Sequence, residues 1–281
     1  MINSRRCSLA FIQAFALAKL ILFSFFLVIN LNAFAQPSVI ISGNDQGELL
    51  GTYLEFLVDP SHTMDLDEVK NKPYREGLLM DKNTTKNTVF WSLSSQDNIS
   101  VGFTESAYWV RFSVHNPTPQ TINWVLEEDY ATIDYVELYT PTIDGTYSKQ
   151  IIGDRLPFRE RSLNYRNVVF PMKTLAHQQQ TYYMRFYSDD SIDIALKKWS
   201  VNAFVENIAK DEIVFGLLYG VVLMGAICSL ITYIRLREIG YLYFTVFMVM
   251  AVGYVACLNG QMFQYLLPNS PQAAHFYSLL F

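Results

Sequence analysis

The chain has 281 residues, 51% of them hydrophobic, and its 26 acidic residues outnumber its 21 basic residues to give a net charge of −5. All but one of the acidic residues lie before residue 213, and this balance argues against binding to nucleic acid or to anionic lipid. The three cysteines, Cys7, Cys228 and Cys257, leave residues 36–212 without a thiol, which excludes disulfides and thiolate metal sites from that stretch.

The first 35 residues have the pattern of a signal peptide. Arg5 and Arg6 make a basic start, Leu20–Ile29 is a short apolar core, and Ala33-Phe34-Ala35 is a small-x-small cleavage site. An uncleaved anchor is the alternative, because Lys19 interrupts the apolar stretch. We expect residues 1–35 to direct export and to be removed.

The next part of the chain predicts a polar leader over residues 36–48 and a β-sandwich over residues 49–205. Tyr108–His115 alternates apolar and polar side chains, Asp144-Gly145 is a hairpin turn signal, and Leu66–Val69 is a candidate short helix. The predicted strands are Tyr108–His115, Ile122–Leu126, Ile133–Tyr139, Tyr147–Ile152, Val168–Phe170, Thr181–Tyr187 and Ile192–Leu196. Many short strands without helix-length periodicity predict an all-β, jelly-roll-like antiparallel sandwich, followed by α-helical transmembrane segments.

Residues 206–281 predict a membrane region. Ile213–Ile234 and Gly240–Leu258 carry no charged residue. At about 1.5 Å of rise per residue, the first run spans about 30 Å, the thickness of the hydrocarbon core of a bilayer. Arg235 and Arg237 lie in the turn between the runs, and arginines in short loops face the cytoplasm. We therefore expect the preceding domain to lie outside the cell membrane.

Three further features of this region predict how the helices are arranged. Residues 201–212 are expected to form a helical joint between the sandwich and the first span. Gly216 and Gly220 have the small-xxx-small spacing that lets helices approach closely, although glycine is also simply common in membrane helices. A third apolar run begins near residue 273 and stops at Phe281, too early to cross a bilayer.

Several blocks of sequence, in order and at similar spacing, are shared with one receptor family. The blocks are Tyr108–Phe112 followed by Asn116, Asp134–Tyr139, Gly153–Phe158 with Arg161, Tyr182–Phe186, Leu196–Trp199, Leu218–Gly220, Arg235–Tyr243, Asn259-Gly260 and Gln264–Leu266. From about Leu49 onward, the chain resembles the type-2 extracellular domain and the start of the seven-helix region of bacterial seven-transmembrane receptors with diverse intracellular signalling modules.

The resemblance implies a fold, a location and partners. It implies a sandwich likened to carbohydrate-binding modules, placed in the periplasm on a multi-pass protein of the bacterial inner membrane. It also implies a cytoplasmic output domain, such as a histidine kinase or a diguanylate cyclase. The chain departs from the family by lacking most of the helices and the output domain, so we expect it to be the amino-terminal part of such a receptor.

Four residues are candidates for ligand binding. Trp109 and Arg111 share one strand face, where an aromatic ring beside a guanidinium suits a sugar, although packing of Trp109 and an ion pair of Arg111 are favoured. Asp154 and Arg161 flank the turn at Pro157, where a pair that fixes the loop is favoured over a ligand contact.

Catalysis has little support in the sequence. Glu127, Glu128 and Asp129 are adjacent on the chain, which does not give the spaced carboxylates of a glycosidase, so a solvated acidic edge or a calcium site is the better interpretation. The four histidines lack metal-ligand spacing, and we expect no enzyme activity, metal or cofactor. The leading hypothesis is a sensory receptor that binds a small ligand, such as a carbohydrate. The alternatives are a membrane-tethered carbohydrate-binding or adhesion module without signalling, and an exported glycan hydrolase.

Overall fold

The structure is a computed structural model that describes residues 37–74 and 89–271. The signal peptide predicted at residues 1–35 and the apolar run predicted from residue 273 lie outside the described residues.

Short strands dominate the part of the chain before residue 201. The strands are β1 (Ser38–Ile40), β2 (Gln46–Leu49), β3 (Glu55–Asp59), β4 (Ser92–Leu93), β5 (Ile99–Phe103), β6 (Ala107–His115), β7 (Ile122–Glu128), β8 (Tyr135–Pro141), β9 (Tyr147–Ile152), β10 (Val168–Thr174), β11 (Gln179–Tyr187), β12 (Ser191–Ile194) and β13 (Leu196–Ser200). The α-helices are α1 (Leu66–Lys70), α2 (Val201–Leu236) and α3 (Ile239–Leu258), and single turns of other helix types cover Gly51–Tyr53, Phe158–Glu160 and Met262–Leu266.

The strands form two main sheets that face each other. The larger sheet has the order β4-β3-β6-β11-β8-β9, with β1 parallel to β6, and the smaller has the order β10-β7-β13-β2. Strands β5 and β12 make a separate pair. Every pairing between these strands except that of β1 is antiparallel. The predicted antiparallel sandwich is therefore confirmed.

The core lies between the two sheets, as the alternation of β6 predicts. Val110, Phe112 and Val114 point into this core, where they meet residues such as Leu126 and Phe170 of the smaller sheet. Successive side chains of a strand point to opposite faces, so Trp109 and Arg111 lie on the outer face of the larger sheet.

Two predicted boundaries differ from the structure. The predicted leader at residues 36–48 contains β1, which pairs with β6, and most of β2, which pairs with β13. The single strand predicted at Ile192–Leu196 is two strands, because the chain passes from β12 to β13 at Ala195 and so changes its pairing partner from β5 to β7. Ile192, Ile194 and Leu196 all remain buried in the core, so the alternation continues across a change of sheet.

The helix α2 follows β13 directly and is continuous to its end. The Ser200 side chain accepts a hydrogen bond from the Ala203 N–H at 3.3 Å and so caps the first turn. The joint predicted over residues 201–212 is thus helical and runs without a break into the first apolar run. Arg237 ends the helix in a left-handed conformation, with φ of 60°.

The helices α2 and α3 form a hairpin, and both are long and apolar enough to cross a membrane. Ser229 Oγ donates to the Tyr241 carbonyl at 2.8 Å. A side chain at Gly225 would meet the Met248 methyl at 3.2 Å, so this glycine lies where the two helices approach each other.

Candidate functional site

The outer face of the larger sheet brings charged and aromatic side chains into two cross-strand rows. Paired residues of neighbouring strands point to the same face of a sheet. The first row is Glu55, Arg111, Tyr183, Tyr139 and Lys149. The second row is Leu57, Trp109, Arg185, Glu137 and Ile151.

Trp109 lies at the bottom of this face. Its side chain is 0% exposed and packs with Leu57, Val69 and Trp91. The Tyr139 ring stacks on it, with ring centroids 5.4 Å apart. In this arrangement the indole supports the residues above it and offers no surface to solvent.

Arg111 is held by two neighbours on the same face. It forms an ion pair with Glu55, and its guanidinium carbon lies 4.4 Å from the centre of the Trp91 ring. These contacts are the packing and ion-pair arrangement that the sequence favours for Trp109 and Arg111. A direct contact of either residue with a ligand stays a prediction.

Beside the Trp109 and Tyr139 rings, the nearly buried Glu137 organises a cluster of polar side chains whose exposed member is Lys149. Glu137 accepts a hydrogen bond from the Tyr139 hydroxyl at 2.6 Å and lies 3.0 Å from Lys149 Nζ. Arg185 Nη1 is 3.5 Å from Glu137, and Arg185 Nη2 donates to the His62 carbonyl at 3.0 Å. Burial and the Glu137 carboxylate raise the pKa of Tyr139, so its hydroxyl remains a donor.

The candidate residues of the sequence do not include this cluster. The sequence does contain a signal for the cluster, because its residues occupy every second position of each strand. These residues are Tyr135, Glu137 and Tyr139 on β8, and Tyr183, Arg185 and Tyr187 on β11. The pairing of β8 with β11 then brings the two sets together. This pairing is a long-range feature, so the sequence pattern alone does not show that the sets meet.

Three more aromatic side chains, those of Tyr135, Tyr187 and His62, lie at one end of this face. Tyr135 and Tyr187 stack with their centroids 6.2 Å apart, and the His62 ring meets Tyr187 edge-on at 4.7 Å. Together with Tyr139, Lys149 and Arg185, these rings offer flat apolar surfaces beside donors and an acceptor. Such a surface is chemically suited to stacking on a sugar ring and to hydrogen bonding with its hydroxyl groups.

Asp154 belongs to a different place, the loop after β9. Its N–H donates to the Ile133 carbonyl at 2.9 Å, and a Cβ at Gly153 would lie 1.8 Å from the Asp134 carbonyl oxygen. Burial, followed by the effect of the neighbouring Asp134 carboxyl, raises the pKa of Asp154 to about 7. Asp134 is itself 3.2 Å from Arg155 Nε, so the loop holds two close carboxyl groups beside one guanidinium.

Arg161 closes the same loop through the backbone. Its Nη1 donates to the carbonyls of Tyr165, Arg166 and Asn167 at 3.2, 2.6 and 3.1 Å. Burial lowers the pKa of Arg161 to about 10, which leaves it charged at neutral pH. Across the described residues, Asp154 and Arg161 share neither a hydrogen bond nor an ion pair, so the loop is fixed by the backbone carbonyls rather than by an Asp–Arg pair.

The structure therefore divides the four candidate residues between two places. Trp109 and Arg111 lie in the outer face of the larger sheet, whereas Asp154 and Arg161 lie in the loop between β9 and β10. A single site formed by all four is not what the described residues show.

The interpretation of the acidic run as a solvated edge is wrong for Glu127 and Glu128, whereas Asp129 is exposed. Glu127 is 1% exposed and accepts hydrogen bonds from Trp199 Nε1 at 2.7 Å and Asn167 Nδ2 at 2.8 Å. Glu128 is 0% exposed and accepts from the Ala195 N–H at 2.9 Å. Burial raises the pKa of both. Within residues 37–74 and 89–271, no group of three His, Cys, Asp or Glu side chains is placed to hold a metal ion.

Two family models match the chain. The model of the 7TMR-DISM extracellular 2 domain covers residues 51–200, and the model of the 7TM diverse intracellular signalling region covers residues 211–281. A search of curated protein sequences found no match.

Two of the solved structures that are similar to this chain overlap with it poorly. A mannan-binding module from Man5C in its bound conformation is 16% identical, covers 37% of this chain and 81% of that chain, and has a TM-score of 0.19. The VP2 subviral particle of infectious bursal disease virus is 10% identical, covers 52% of this chain and 50% of that chain, and has a TM-score of 0.20. These TM-scores are too low to support an argument about fold or function. The identification comes from the two family models: the chain belongs to the seven-transmembrane receptors with diverse intracellular signalling, and residues 51–200 are its extracellular domain.

Proposed function

We propose that this chain is the amino-terminal sensory part of a bacterial receptor, and that the outer face of the larger sheet binds a small carbohydrate. The observation that carries the proposal is the Glu137 cluster. In this cluster Tyr139, Lys149 and Arg185 surround one carboxylate, next to the stacked rings of Trp109 and Tyr139. The family is one of signalling receptors rather than of enzymes, which supports binding without turnover.

The chemistry of the face favours a neutral, hydroxyl-rich ligand. Tyr139 and Tyr187 offer ring surfaces, Lys149 is a donor, and the Glu137 carboxylate is an acceptor. A sugar presents an apolar ring face and hydroxyl groups that both donate and accept, so it matches all of these groups at once. In this proposal Trp109 and Arg111 support the site from below, through their contacts with Tyr139, Glu55 and Trp91.

The rest of the proposal concerns export and signalling. Residues 1–35 act as the signal peptide, the sandwich lies in the periplasm, and α2 and α3 cross the inner membrane. A ligand shifts the helices only by the difference between its affinities for their two arrangements. The partner that reads this shift is a cytoplasmic output domain, such as a histidine kinase or a diguanylate cyclase.

Binding is tested with the full chain in lipid nanodiscs on a glycan array. We expect some glycans to be retained, and binding to be about tenfold weaker in Tyr187→Ala and Lys149→Ala variants, because the first loses a ring on which the sugar stacks and the second loses about one hydrogen bond to the ligand. Lys173→Ala, which removes an exposed lysine from the smaller sheet, is the charge-matched control and should bind like the wild type. Absence of any retained glycan, or equal binding by all four proteins, would contradict the proposal.

A further inference from the structure

One loop of the sandwich contacts both α2 and the segment that follows α3, at the ends of these helices nearer the sandwich, which we call their outer ends. We name residues 158–167 the docking loop and residues 259–268, which follow α3, the return segment. On the side of α2, Arg166 Nη2 is 2.8 Å from the Asp211 carboxylate, and the Tyr165 hydroxyl donates to the same carboxylate at 3.3 Å. The Arg166 guanidinium also lies over the Phe215 ring, at 5.1 Å from its centre.

The docking loop contacts the return segment through independent bonds. The Phe158 N–H donates to the Pro268 carbonyl at 3.0 Å, and Gln264 Nε2 donates to the Asn164 carbonyl at 3.2 Å. The Phe263 ring meets the Phe158 ring edge-on at 5.3 Å. Backbone, amide and aromatic contacts thus occur in one small area.

Gly260 shows how closely the return segment approaches the sandwich. A Cβ at this position would lie 2.9 Å from the Ala131 Cβ and 3.1 Å from the Arg166 carbonyl oxygen. The φ of Gly260 is +71°, a conformation that favours glycine. A larger residue here would have to push the return segment away from the sandwich.

Arg161 gives the docking loop a fixed shape. It binds the three carbonyls of residues 165–167 from inside the loop, and its guanidinium lies 4.6 Å from the centre of the Phe158 ring and 5.5 Å from that of Phe263. The Arg161 side chain therefore contacts both the docking loop, which binds α2, and the Phe263 ring of the return segment.

From these contacts we infer that the docking loop is the element through which the sandwich positions the outer ends of both α2 and α3, with Arg161 as its positioning residue. The sandwich has a first attachment to the helices at the junction of β13 with α2. The docking loop adds a second attachment that reaches α3, so the domain and the hairpin move as one body. The role of this movement in signalling rests on the proposed function, whereas the attachment itself does not.

Cross-linking in membranes tests the attachment without any ligand. In the full chain with Cys228→Ser and Cys257→Ala, an Asn164→Cys, Gln264→Cys pair should be joined by a short bifunctional thiol reagent, because the Gln264 side chain reaches the Asn164 backbone. A Lys173→Cys, Gln264→Cys pair is the control, since Lys173 lies at the far end of β10, roughly 17 Å along the strand from the docking loop. We expect about tenfold more linked peptide for the first pair by mass spectrometry. Equal yields would overturn the inference.

A distance measurement tests whether the attachment restrains the domain. Spin labels at Lys173→Cys and Leu236→Cys, in the same background in nanodiscs, should give one narrow distance distribution. Gly260→Val or Arg161→Gln should widen it about twofold by freeing the second attachment, whereas Lys149→Ala should not. An unchanged distribution in both variants, with folding verified by circular dichroism, would contradict the inference. Neither experiment uses a glycan, so loss of glycan binding and loss of docking are separate results.

Discussion

At Arg111 a single guanidinium both pairs with Glu55 and covers the Trp91 ring. The Glu55 residue is nearly buried, at 4% exposure, and Arg111 is a cation paired with its carboxylate. We expect Arg111→Ala to lower the free energy of unfolding by about 3 kcal/mol, because the change removes one partner of a buried ion pair and the cover of an indole. Unfolding of the full chain in micelles, followed by tryptophan fluorescence, measures this loss.

Lys149→Ala is the control for Arg111, because it removes a cation from the same row of side chains at 42% exposure. We expect it to change stability by less than about 0.5 kcal/mol. If Arg111→Ala cost no more than this control, Arg111 would not have the structural role that its contacts indicate.

The partly buried carboxyl of Asp154 gives the stability a dependence on pH. The folded protein raises its pKa from 3.8 to about 7, so the folded state binds the proton more tightly than the unfolded chain. The groups that face it are Asp134, Arg155 and Arg161. Stability from this proton is full below the unfolded pKa and is lost as the pH rises through about 7.

Asp154→Asn should therefore flatten the fall in melting temperature between pH 5 and pH 8. At pH 8 the variant should be more stable than the wild type by about 2 kcal/mol, because asparagine places no ionised carboxylate beside Asp134. Thermal unfolding of the full chain in micelles across this range measures the effect, with Glu105→Gln in the exposed segment before β6 as the control. A slope as steep as that of the wild type would show that Asp154 does not hold the proton.

The sequence predicts the role of a residue well where the residues that decide it are near in the chain. The alternation of Tyr108–His115 correctly separates core from outer face. The burial of Glu127 was not predictable, because its partners Asn167 and Trp199 belong to segments that reach it only through sheet pairing. Arg161 likewise acts on backbone carbonyls, which no side-chain pattern reports.

At the scale of elements, the helix hairpin packs at a glycine that the small-xxx-small spacing does not mark. No described atom lies within 4 Å of a Cβ built at Gly216 or Gly220, whereas a Cβ at Gly225 meets Met248 at 3.2 Å. We expect Gly225→Leu to destabilise the hairpin by about 1–3 kcal/mol through overpacking, and Gly216→Leu to be neutral. Unfolding by titration with sodium dodecyl sulfate, followed by circular dichroism, compares them. Equal losses would place α3 against a different face of α2.

Strand existence is the part of the fold that the sequence predicts well. The strand at Tyr147–Ile152 and the short helix predicted at Leu66–Val69 lie where the pattern places them. It is harder to predict which sheet a strand joins. Ile192–Leu196 keeps one alternation of buried and less buried side chains, although the chain changes its pairing partner at Ala195. The period of a strand fixes which side chains face the core, but it does not fix which strand lies next to it.

At the scale of the whole molecule, the contacts of the return segment place both outer ends of the hairpin beside the sandwich. The helix α2 leaves the sandwich at Val201, and the segment after α3 returns to it at Gly260 and Phe263. Both outer ends therefore lie on the side of the extracellular domain, and Arg235 and Arg237 lie at the opposite end of the hairpin. Charge in the turn predicts this arrangement. The docking loop that holds it is formed by tertiary contacts and was not predictable.

Reporter fusions in bacteria test this orientation, on which the receptor proposal depends. Alkaline phosphatase is active only outside the cytoplasm, and green fluorescent protein exported by the general route is dark. We predict active phosphatase and no fluorescence for fusions after Glu206, and inactive phosphatase with bright fluorescence for fusions after Arg237. The opposite pattern at both positions would place the sandwich in the cytoplasm and contradict the account.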